Sequence, residues 1–171
     1  MTLEANPKPS VYIETSIFGL LTARPSRIIV QAARQELTQR WWDERRSKYR
    51  IFASAHVIEE ARAGDPVAAT KRLEALAAVE MLAPTPELEA LAARIQDALQ
   101  LPPKARFDAL HLAYAVYYEL DYLLTWNCTH LANSELLRQL TDYLREQGLW
   151  QPIICTPQEM VPEDEENIDG I

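Results

Sequence analysis

Five short apolar runs recur along the chain with helical stretches between them, and this alternation limits the fold more than any other feature. The runs are VYIET at 11–15, IFAS at 51–54, VEML at 79–82, DYLLT at 121–125 and PIICT at 152–156. Strands that are apolar throughout are buried on both faces, and parallel strands joined through helices meet that condition. The expected class is α/β, with a parallel sheet of four to five strands covered on both sides.

The segments between the runs carry helix signals. From 26 to about 48, Ile29, Ala33, Leu37, Trp41 and Trp42 recur on one side, with Ser26 placed to cap the start. A short helix is expected at about 56–63, closed by Gly64. Asp65 then caps the next helix, which runs to about 77 with Pro66 at its first position. Further helices are expected at about 86–99, 104–119 and 134–147, the last ending at Gly148.

A chain of 171 residues, 48% hydrophobic and 25% charged, suits one domain that holds a core without disulfides. We expect that domain to span 1–157. No apolar run approaches the ~20 residues of a membrane span. The first residues do not form a secretory signal, and Cys128 and Cys155 make no disulfide scaffold, so the expected location is cytoplasmic.

The net charge of −8 is unevenly spread. Residues 24–50 hold eight bases against three acids, whereas 158–171 hold six acids and no base, which reads as a disordered acidic tail. The basic stretch, with Arg45 and Arg46, is a candidate surface for phosphate contacts, and a solvated helix face is the plain alternative.

In a parallel sheet, sites form outside the carboxyl ends of the strands. Glu14 leaves the first strand there, Glu60 lies in the helix directly after the second, and Asn127 follows the fourth by two residues. Asp108 begins a helix that leads back into the fourth strand, which places it at the same edge. Taken singly, each has a duller role: a surface ion pair, a solvated acid, a helix-dipole partner or a turn residue. Together, three converging carboxylates without a matching base repel one another, and a hard divalent cation removes that cost. Oxygen donors favour Mg²⁺ or Mn²⁺ over zinc, and such an ion supports phosphodiester hydrolysis. The histidines read as structural, with His111, three residues after Asp108 on the same helical face, bordering the site. Trp41, Trp42, Trp126 and Trp150 read as packing residues.

At these residues the sequence resembles the PIN-domain family, which includes the VapC-type toxin ribonucleases. YIETS at 12–16 is similar to the family's opening acid-Thr-Ser segment, with Glu14 in the place of the usual aspartate. SAHVIEEARAG at 54–64 resembles the second segment, whose spacing selects Glu60 over Glu59. FDALHLAYA at 107–115 resembles the third, with Asp108 as its acid. LLTWN at 123–127 resembles the fourth, with Asn127 where many members carry aspartate.

The resemblance covers about 10–157. It implies a three-layer α/β/α sandwich, metal-dependent RNA cleavage, homodimers and an antitoxin partner. Under it, Glu14, Glu60 and Asp108 hold Mg²⁺ or Mn²⁺, Asn127 completes the site, and Ser16 or Thr125 orients a carboxylate. A non-catalytic module that binds RNA or an antitoxin, with its metal site weakened at Asn127, is the alternative. A nucleotide-binding doubly wound protein is disfavoured, because no glycine-rich loop follows the first strand.

Overall fold

The computed structural model describes residues 7–161. Five strands, β1 (Ser10–Ile13), β2 (Arg50–Ser54), β3 (Glu80–Leu82), β4 (Tyr122–Leu124) and β5 (Ile153–Cys155), form one all-parallel sheet in the order β3-β2-β1-β4-β5. The first strand is central and wholly buried; Ser10, Val11 and Tyr12 pair with β2 on one side, and Val11, Tyr12 and Ile13 pair with β4 on the other.

Among the described residues, eight α-helices surround the sheet: α1 (Thr15–Thr22), α2 (Ile29–Arg40), α3 (Ala55–Ala61), α4 (Pro66–Leu76), α5 (Pro86–Ala98), α6 (Arg106–Tyr117), α7 (Ser134–Glu146) and α8 (Pro157–Met160). The result is the expected three-layer α/β/α arrangement. Its core runs through Phe18, Trp41, Leu88, Ile95, Leu112 and Leu123. No helix among the described residues is long and apolar enough to cross a membrane. Of the acidic stretch expected as a tail at 158–171, residues 158–160 belong to α8 and Val161 is buried, and the remainder from 162 lies outside the described residues.

Local chemistry explains most boundaries. The side chains of Asp65, Thr85 and Asn133 accept backbone N–H groups at the starts of α4, α5 and α7. Gly64 and Gly148 take φ of +85° and +64° just past α3 and α7, where a Cβ would be strained.

Two expectations change. The first strand stops at Ile13, and Thr15 already begins α1, a helix that the sequence reading passed over. TSIFGLLT is apolar on most sides and holds a glycine, so it shows no amphipathic period. The single helix at 26–48 is instead α2, a π turn at Trp41–Arg45 and a 3₁₀ turn at Arg46–Lys48. The wide turn allows two adjacent tryptophans to pack: Trp41 is buried and stacks on Tyr49, and Trp42 meets Phe18 edge-on. Ser26 does not cap α2 directly; its hydroxyl accepts from the N–H of Ile28, the residue before the helix.

Candidate metal centre at the carboxyl edge of the sheet

Glu14 is the first residue beyond β1, and only 5% of it is exposed. A buried carboxylate is costly unless hydrogen-bonded. Here the hydroxyls of Ser16 and Thr125 both donate to its Oε2, the latter at 2.8 Å. Ser16 Oγ also accepts the N–H of Trp126 at 2.8 Å, so one serine ties α1 to the loop after β4. Both hydroxyls thus hold the Glu14 carboxylate in one orientation. The other oxygen of Glu14 lies 4.0 Å from His111 Nε2.

Ser54 caps α3 straight after β2, which sends Glu60 back over the same edge. Thr15 donates to Glu60 Oε2, and His111 Nε2 meets the same oxygen at 2.8 Å. Burial alone would raise the Glu60 pKa, but the contacts with His111 and Thr15 hold it below its usual value. Glu59, its neighbour in sequence, is exposed.

Asp108 sits in the first turn of α6, where the helix dipole favours a negative charge. Burial pushes its pKa up, opposed by His111 and His130 and reinforced by Glu14 and Glu60. Asn127 donates its amide N–H to Asp108 Oδ1 at 2.8 Å. Its own carbonyl oxygen accepts the backbone N–H groups of Thr129 and His130. Asn127 therefore reaches the site as a donor that fixes Asp108, and the oxygen expected to complete a metal shell is engaged in its own loop.

His111 is the residue whose importance the sequence reading understated. It is fully buried, and its Nδ1 meets the Tyr12 hydroxyl at 2.9 Å, which also contacts Ser54 Oγ at 2.8 Å. Among the described residues, the tightest set of possible ligands is Glu14, Glu60 and His111, with donor atoms within 4.8 Å of one another. Asp108 lies outside that set and is coupled to Glu14, Glu60 and His111 through their charges. Burial would lower the His111 pKa, but the Glu60 hydrogen bond and the charges of Glu14, Glu60 and Asp108 raise it.

The imidazolium is thus an internal counter-charge for the acids. It contributes stability that is complete below the ordinary value of 6.5 and is lost as pH rises through the higher folded-state value. Glu60 reports the same pair from the other side: its share is present above 4.5 and is lost as pH falls through its depressed value. Without divalent ions, His111→Gln is therefore expected to cost most stability near pH 5–6 and progressively less at alkaline pH. Chemical unfolding across pH checks this; a penalty that grows with pH contradicts it. Tyr12→Phe, which strips partners from His111 and Ser54, is expected to cost about 1–3 kcal/mol in the same measurement.

Glu14, Thr15, Ser16, Glu60, Arg72 and Phe107 line a cleft of about 680 Å³. Arg72 carried no sequence signal, because it acts through contacts between helices, whereas Thr15 stands in the acid-Thr-Ser segment. Arg45 and Arg46 lie elsewhere. They belong to the turns that lead into the amino end of β2, and Arg50 pairs with Ser10 at the far edge of the sheet from Glu14. Arg46 sits over the ring of Trp42 at 4.5 Å.

The sheet order, the helices on both faces and the acids at its carboxyl edge define a PIN-like fold. The solved structure of Mycobacterium tuberculosis VapC20, described as a Sarcin-Ricin loop cleaving toxin, shares it with a TM-score of 0.56 and 17% sequence identity. The match covers 70% of this chain and 91% of that one. No family model matches the sequence, and a comparison with curated proteins gives no match.

Proposed function

We propose that this protein is a divalent-metal-dependent ribonuclease that hydrolyses phosphodiester bonds at the carboxyl edge of its sheet. The observation that carries the reading is the placement of Glu14 and Glu60, from two separate elements, in the wall of one open cleft, with Asp108 of a third element near enough to feel the charge of both. The fold shared with VapC20 and the four PIN-like segments support it.

The donor set fits Mg²⁺ or Mn²⁺. Glu14 and Glu60 supply hard oxygens, Asp108 adds a third carboxylate at the border, and the nearest nitrogen, His111, is already engaged by Tyr12 and Glu60. When bound, such an ion polarises the phosphoryl oxygens and lowers the pKa of a water molecule. The chain's own residues do the rest. Ser16 and Thr125 fix one oxygen of Glu14 and direct the other toward the cleft. Thr15 and His111 hold Glu60, and Asn127 orients Asp108. His111 and a metal ion compensate the same acids, so protonation and metal binding compete.

The resemblance extends the proposal to a protein partner, an antitoxin or a second copy of the chain. Ile28, Ile29 and Val30 form a consecutive exposed apolar ridge at the start of α2, with Val67 exposed on α4. A ridge of this kind is a common mark of a docking surface. The alternative of a non-catalytic binding module predicts the same ridge but no hydrolysis.

Cleavage of single-stranded RNA separates the two. Wild type with Mg²⁺ or Mn²⁺ is expected to cut, and a chelator or Asp108→Asn to stop it. Intact RNA under all conditions, with metal bound, would favour the binding module.

A further inference from the structure

We propose that the cleft holds one nucleotide of a single strand, with its phosphate on Arg72 and its base against Phe107; this rests on the nuclease reading and names the substrate contacts beside the acids. Arg72 projects from α4 to the end of α3, where its Nε donates to the carbonyl of Ala61 at 2.9 Å and its Nη2 to that of Ala63 at 2.6 Å. Two of the five N–H groups of the guanidinium are used in this way. The end of α3 thereby gains partners for carbonyls that helix termini leave unsatisfied, and the guanidinium plane is fixed. Three N–H groups remain on a rigid fork that borders the cleft, a geometry suited to phosphate oxygens.

The charge pattern points to the same ligand. Arg72 is the one base among the described cleft-lining residues, and it faces a cleft that otherwise carries Glu14, Glu59 and Glu60. An isolated anion is repelled by the acids. A chain with phosphates at intervals can place one at the metal-binding acids and another at Arg72.

Phe107 supplies the apolar element. It is half-buried, directly precedes Asp108, and packs edge-on against His56 with ring centroids 6.0 Å apart. An aromatic wall beside a phosphate-binding group is the arrangement used to stack the bases of single strands. Gly19 on α1 lines the same cleft, and a Cβ there would meet nothing within 4 Å, so the cleft has free space at that point. A volume of about 680 Å³ falls in the usual range of small-ligand pockets.

The test is binding of a fluorescein-labelled single-stranded oligoribonucleotide to the full chain, read by anisotropy in chelator over a range of salt. Phe107→Leu is expected to weaken binding about tenfold, with Phe107→Trp restoring it. Arg72→Gln is expected to weaken it and to flatten the log–log salt slope by about 0.7, the value for one phosphate of a single strand. Gly19→Leu, which fills the free space without touching either group, is expected to weaken binding while the melting temperature holds or rises. Wild-type affinity and salt slope in the Phe107→Leu and Arg72→Gln variants, both still folded, would overturn the proposal and direct attention to the strand-distal Arg45 and Arg46. Absence of saturable binding by the wild type would overturn it as well. Failure of the nuclease reading looks different: binding and its dependence on Arg72 and Phe107 persist, but no RNA is cut when Mn²⁺ is supplied.

Discussion

Glu60→Gln is expected to reduce metal-dependent RNA cleavage by about 100-fold or more, whereas Glu59→Gln leaves it within about threefold of wild type. A metal ion contributes several kcal/mol of transition-state stabilisation, and each 1.36 kcal/mol is worth tenfold in rate. Glu60 is tied to Thr15 and His111 in the centre of the site, whereas Glu59 is exposed. Substitution of an exposed acid without partners ordinarily changes free energies by no more than about 0.5 kcal/mol. Initial rates at saturating Mn²⁺ decide between them. Equal losses, or a larger loss at Glu59, would assign the metal to Glu59, which lines the same cleft.

The second large effect is expected at Asn127→Asp. In the structure the Asn127 amide donates to Asp108 at 2.8 Å. Aspartate there replaces a donor with a like charge, and both carboxyl groups then titrate higher. In chelator near neutral pH the expected loss of stability is about 1–3 kcal/mol. Because the folded state binds protons more tightly at this pair than the unfolded chain does, the penalty shrinks as pH falls below both pKa values. Added Mn²⁺ is expected to recover the loss and to raise the melting temperature more in Asn127→Asp than in wild type. A metal-induced gain no larger than that of wild type would place Asn127 outside the electrostatic reach of the ion.

The reading from sequence succeeded where one local rule dominated. Strand runs, the Asp65-Pro66 start, and Gly64 and Gly148 at helix ends are each fixed by a few neighbouring residues. The edge of the sheet that collects Glu14, Glu60 and Asp108 followed from topology alone, since parallel strands share one carboxyl edge. Helix α1 was hidden because a helix enclosed by other elements has no polar face to reveal its period.

The role of His111 was hidden for a different reason. Its position on the face of Asp108 was visible, but its contacts with Tyr12 and Glu60 join residues 99 and 51 positions away. Arg72 was equally silent, because its partners are backbone carbonyls, which leave no trace in the residue pattern. The clustering of bases at 24–50 pointed to a surface, but chain direction carries Arg45 and Arg46 to the amino edge, away from the acids.

In the proposed function the acids at the carboxyl edge hold a divalent ion in competition with the proton on His111. Calorimetric titration of Mn²⁺ into the full chain at several pH values tests it most directly. Binding is expected to be saturable, to tighten as pH rises, to release protons, and to weaken at least tenfold in Asp108→Asn. Binding that is independent of pH and indifferent to Asp108→Asn would contradict it.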